Sequence, residues 1–116
     1  MKIKTSELEK QALDWAVAVC LGHKDIITDF GVYIRIKTHP AGALTFCPST
    51  DWALGGPIIE RERIELEWSG SEWWARIKAD EDFSAPTPLV AAMRCYVASK
   101  LGDEVDVPDE LVEGEK

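Results

Sequence analysis

The chain is poor in the residue types that usually announce chemistry. Its 116 residues hold two histidines and three cysteines, Cys20, Cys47 and Cys95, with no C-x-x-C pair. An odd, widely spaced cysteine set is no disulfide framework. With His23 and His39 it does not match the spacing of zinc ligands either, so neither metal nor cofactor is expected. No apolar run approaches the roughly 20 residues that cross a bilayer. The opening Met1-Lys2-Ile3-Lys4-Thr5-Ser6-Glu7 lacks the apolar stretch of a secretory signal, and a cytosolic protein with no membrane partner is expected. Basic residues are scarce: 13 Lys and Arg against 21 Asp and Glu leave a formal charge of −8. Direct nucleic-acid binding relies on clustered cations that displace counterions and is not expected. The chain also has no G-x-S-x-G, no phosphate-binding P-loop and no recognisable nucleophile–base pair, so a nonenzymatic role is the first expectation.

What is present reads as a small α+β domain. Hydrophobic residues make up 46% of the chain, an ordinary globular share, and a chain this long buries enough surface to fold unaided. A first helix is expected over about 6–21. Ser6 and Glu9 stand as a capping box, Leu8, Ala12, Trp15, Ala16 and Val19 form an apolar stripe, and Gly22 is the left-handed stop. Alternation over Val32, Ile34 and Ile36 reads as a strand. From 38 to 57 the periodicity disappears and a long loop is expected, with His39-Pro40 as a turn and Pro57 opening a short helix over 57–62. A β-hairpin follows at about 63–78, turning at Gly70-Ser71. Its register sets Trp68 opposite Trp73, Leu66 opposite Ala75 and Ile64 opposite Ile77 on a buried face, and Glu65 opposite Arg76 on the other. After a polar connection over 80–86, Thr87 caps a second helix at about 88–101, with Leu89, Ala92, Met93, Tyr96 and Val97 inward. The expected architecture is a small antiparallel sheet with two main helices packed on it. One domain spans 1–104, and 105–116 forms an acidic tail, partly docked through Val105, Val107 and Leu111 or frayed.

The stretch from Cys47 to Glu62 concentrates groups suited to a ligand. Ser49, Thr50 and Asp51 offer hydrogen bonds, and Trp52 offers a stacking face. Gly55 and Gly56 permit close backbone approach, the Ile58 amide would sit at a helix start, and Arg61 would neutralise charge. The competing reading is a tight capping turn with Trp52 in the core. Trp74, beside Arg76 on the open face of the hairpin, suggests an interface, since aromatic and arginine residues concentrate there. A homo-oligomer through that sheet is an open alternative.

Three blocks carry a resemblance: Lys2-Ile3-Lys4-Thr5-Ser6-Glu7-Leu8 with Ala12-Leu13-Asp14-Trp15-Ala16-Val17-Ala18; Ser49-Thr50-Asp51-Trp52 with Gly55-Gly56-Pro57-Ile58-Ile59-Glu60-Arg61-Glu62; and the run from Thr87-Pro88-Leu89 to Lys100-Leu101-Gly102. In these the chain resembles the phage NinX family, small accessory proteins of lambdoid and related tailed bacteriophages encoded in the nin region. The resemblance implies a bacteriophage protein acting in the cytoplasm of the infected bacterium, and it brings no catalytic residue with it. The leading expectation is a nonenzymatic binder of a small polar, nucleotide-like ligand through the 49–62 segment. An alternative is an acidic protein-interaction module that inhibits a host protein. A second is a nucleotide-processing enzyme using carboxylates such as Asp51, Glu60 and Glu62.

Overall fold

A computed structural model describes residues 1–24, 26–29, 33–39, 42–78 and 81–113. At the centre lies α3 (Pro88–Leu101), buried at Leu89, Ala91, Ala92, Met93, Cys95, Tyr96 and Val97. A helix apolar on so many sides needs neighbours on several sides. It has them in β5 (Ile64–Trp68), β6 (Trp73–Ile77), β7 (Phe83–Ala85), α1 (Lys10–Cys20) and α2 (Trp52–Glu62). Thr87 accepts from the Val90 amide at 3.2 Å and Pro88 takes the first turn, as expected from the sequence.

The first helix is shorter than expected. Thr5–Glu7 is a 3-10 turn, Leu8 and Glu9 are extended, and α1 begins only at Lys10. The Ser6–Glu9 capping box does not form: Glu9 is the residue before the helix, and no side chain caps it. Two bonds explain the break. Arg94 Nε donates to the Leu8 carbonyl at 2.7 Å, and Thr5 Oγ1 donates to the Gly102 carbonyl at 2.5 Å. Both claims pull the segment toward α3 and drop Leu8 into the core, and Arg94 Nη1 also donates to the Ser84 carbonyl at 2.8 Å.

Among the described residues the strands form three small antiparallel sheets, so α+β holds, with the strands divided rather than joined in one sheet. The first pairs β1 (Lys2–Lys4) with β8 (Glu104–Asp106). The second runs β2 (Ile26–Asp29), β3 (Tyr33–His39), β4 (Gly42–Thr45), with Ile34 and Ile36 buried. Val32 and Pro40 lie outside the described residues. Among the described residues the expected long loop is therefore largely ordered: β4 pairs with β3 and α2 starts at Trp52, with 46–51 irregular between them. Pro57 does not open a helix; it is the sixth residue of one.

The third sheet runs β5, β6, β7, and the hairpin has the expected register throughout, Trp68 opposite Trp73 and Glu65 opposite Arg76 included. Gly70 has φ 101°, which suits a glycine-first two-residue loop. Two details differ. The presumed polar connection contains β7, whose Phe83 and Ala85 face inward around Ser84. Trp68 is not buried: at the turn end of the hairpin it stays 52% exposed, resting on Trp73 at 5.5 Å between ring centres. In the C-terminal segment Val105, Val107 and Leu111 are buried, and α4 (Glu110–Glu113) is a single turn. No helix among the described residues is long and apolar enough to cross a membrane.

Candidate functional site

The turn between β4 and α2 is held from within. The Thr50 and Asp51 amides both donate to the Cys47 carbonyl, at 3.1 and 2.9 Å, and Pro48 is fully buried. Asp51 Oδ1 accepts from the Ala53 amide at 2.9 Å, and its carbonyl accepts from Leu54 and Gly55. Asp51 is thus the N-cap of α2. Gly55 faces the turn itself. A Cβ built there would stand 2.5 Å from the Pro48 carbonyl oxygen and 2.6 Å from Leu89 Cδ2. Its lack of a side chain lets α2 pack on the turn and on α3, which is a packing role.

A cleft of about 390 Å³ opens on one side of the turn, walled by Ser49, Thr50, Trp52, Thr87, Pro88 and Leu89, with Val90 behind. Trp52 is 53% exposed there, although a core position was the competing expectation. A second cleft of about 300 Å³ lies against α1 and the β2–β4 sheet. Its polar floor comes from Asp14 and Ser49, its apolar wall from Ile34 and Phe46, and its rim from Lys10 and Gln11. The Ser49 amide donates to Asp14 Oδ1 at 2.9 Å. Burial pushes the Asp14 carboxyl up to about 6, against a smaller opposing pull from Ser49. The Ser49 hydroxyl sits close enough to favour the charged carboxylate but closes no hydrogen bond of sound geometry. A buried hydroxyl left in that state is uncommon in a folded protein.

A family model described as Bacteriophage P22, NinX matches residues 4–100. The chain belongs to the NinX family. A search among curated proteins returns no match. The matched span takes in α1, the turn, α2 and the hairpin, so both clefts lie within the part of the chain that is NinX.

The eight ligand-binding residues expected from sequence do not all converge in this NinX chain. Ser49, Thr50 and Trp52 line the first cleft, with Asp51 capping between them, and a Cβ built on Gly56 would come within 3.9 Å of the Trp52 ring. Ile58 is in the core at 3% exposure, in the middle of α2, so its amide is not at a helix start. Arg61 is nine residues beyond Trp52, roughly 13 Å along the helix. There Nε donates to Glu62 at 2.9 Å and Nη2 donates to the Tyr96 hydroxyl at 3.3 Å. On the hairpin, Trp74 is 37% exposed beside Glu67, and Arg76 is engaged by Asp82 more closely than by Glu65, which stands at 3.7 Å. Asp14, Lys10 and the Thr87–Leu89 wall were not anticipated. Asp14 carries a signal in retrospect: a carboxylate set between Leu13 and Trp15 in an otherwise apolar helix face. Among the described residues, no group of three or more His, Cys, Asp or Glu is placed to hold a metal ion.

Proposed function

We propose that this NinX protein is a nonenzymatic accessory protein of the infected cell that binds a small polar, nucleotide-like ligand at the start of α2. The carrying observation is Trp52, a half-exposed indole over a cleft whose opposite wall is Pro88 and Leu89. Indoles normally hide their apolar body, and one left open beside an apolar wall offers a slot for a flat ring. Thr50, exposed in the lining, adds a hydroxyl to the slot. Asp51 supports the site as a cap, while Gly55, Ile58 and Arg61 act by packing and surface pairing, which narrows the ligand-binding set to the 49–52 turn and the Thr87–Leu89 wall.

Native mass spectrometry of protein freshly purified from expressing bacteria tests this. A bound mass of a few hundred daltons, lost in Trp52→Ala while folding is kept, is the expected outcome. A bare wild-type protein rejects the reading and favours the competing one, in which Trp74 and the acidic hairpin face engage a host protein or a second copy.

A further inference from the structure

The second cleft holds two acceptors that the fold does not use up. Asp14 is 6% exposed, and one of its oxygens takes the Ser49 amide. Among the described residues the influences on its titration are burial, the larger, and Ser49. Ser49 is 2% exposed and its hydroxyl oxygen has no partner. Both line the same hollow of about 300 Å³, to which Ile34 and Phe46 add apolar surface and Lys10, Gln11, Thr45 and Thr50 polar surface. That size lies at the small end of ligand sites.

We infer that this cleft takes a flat group presenting two adjacent N–H donors, the edge of a guanine-type base or a guanidinium. An ionised carboxylate only accepts, and a hydroxyl oxygen retains lone pairs when its proton leans toward the carboxylate. One N–H meets the free oxygen of Asp14 and the other meets Ser49 Oγ. The first bond is charge-assisted and made to a carboxylate only 6% exposed, a setting in which such bonds are strong. An anionic edge would be repelled by Asp14, and a purely apolar one would leave both acceptors unmet. Lys10 stands exposed at the rim, and Cys47 is part of the lining. His23 meets Phe46 edge-on at 5.7 Å. Arg35 follows Ile34 in β3, so alternation turns it to the other face. The inference goes beyond the Trp52 slot: the two clefts share only the Ser49–Thr50 turn, and either can fail alone.

Titration calorimetry with guanosine, inosine and agmatine tests it, on the wild type and on Asp14→Asn, Ser49→Ala and Trp52→Ala. Asp14→Asn preserves the acceptor for the Ser49 amide, and circular dichroism checks each fold. Guanosine is expected to bind the wild type. Inosine, which lacks the 2-amino donor, should bind about tenfold or more weakly, as should guanosine to Asp14→Asn. Ser49→Ala should lose several-fold. Wild-type affinity should fall from pH 7.5 to pH 5 while that of Asp14→Asn stays level, which separates Asp14 from His23 and Lys10. Agmatine binding with the same Asp14 dependence, in place of guanosine, assigns the guanidinium source and also supports the inference. Failure of both probes to bind the wild type, or binding unchanged in Asp14→Asn, overturns it. Trp52→Ala reports on the other cleft: if it retains the co-purified mass while guanosine still depends on Asp14, the Trp52 reading fails and this one stands.

Discussion

An ionised carboxylate at Asp14, held out of water by the core around it, opposes folding at neutral pH. Its carboxyl is raised from 3.8 to about 6 in the folded protein, so between these values the folded state holds the proton more tightly than the unfolded chain. Stability from this group is therefore greatest below pH 4, declines as pH rises toward 6 and is flat above. Two units correspond to roughly 3 kcal/mol at most. Asp14→Asn should then be more stable than wild type at pH 7 by on the order of 1–3 kcal/mol, with the gain shrinking toward pH 4. Urea denaturation at several pH values checks this, and parallel profiles for the two proteins would refute it. The residue is hard to read from sequence because the expected apolar stripe runs through Trp15. The buried face keeps Ala12 and Ala16 of that stripe and extends about one helical position around to Leu13, Asp14, Val17 and Ala18, while Trp15 is only partly covered. A 3.6-residue repeat locates a face only to within about that angle.

Among the elements, α2 and the hairpin mark the two extremes of legibility. The hairpin was readable because strand alternation, an opposite-charge pair and a glycine turn all demand one register. In α2, Gly55-Gly56-Pro57 argues locally against a helix, glycine by about 1 kcal/mol each and proline by about 3. The helix forms because Asp51 caps it, Ile58 is buried and Gly55 seats against Pro48 and Leu89. Of these only the Asp51 cap is a local sequence signal. The two glycines should respond oppositely to alanine. At Gly56 the new methyl group meets only the Trp52 ring at 3.9 Å, so helix propensity should win and stabilise by about 0.5–1 kcal/mol. At Gly55 the same gain is outweighed, since the Pro48 carbonyl at 2.5 Å belongs to backbone and overpacking typically costs about 1–3 kcal/mol. Thermal melts of the two variants should move in opposite directions, and a shared direction would contradict the assigned packing.

For the molecule as a whole, one core cluster draws on α1, the β2–β4 sheet, the hairpin sheet, α3 and the segment after Gly102. Leu111 is fully buried, and Gln11 Nε2 donates to its carbonyl at 3.3 Å, so that segment closes over α1. Leu111→Ala should cost about 2–5 kcal/mol, the range for emptying a leucine-sized site. A loss under 0.5 kcal/mol in chemical denaturation would mean that the segment merely rests on the surface. Its docking was legible as hydrophobic residues in an acidic stretch; its pairing partner, β1, was not, because three-residue strands are too short to show a period. The hairpin's Trp68 and Trp73 have a different consequence. Two indoles 5.5 Å apart and inclined at 51° lie close enough for their electronic transitions to couple, so the pair contributes a split ultraviolet dichroism band that exists only while the strands are zipped. This segment thereby carries its own optical label, and its closure is visible separately from the helical signal.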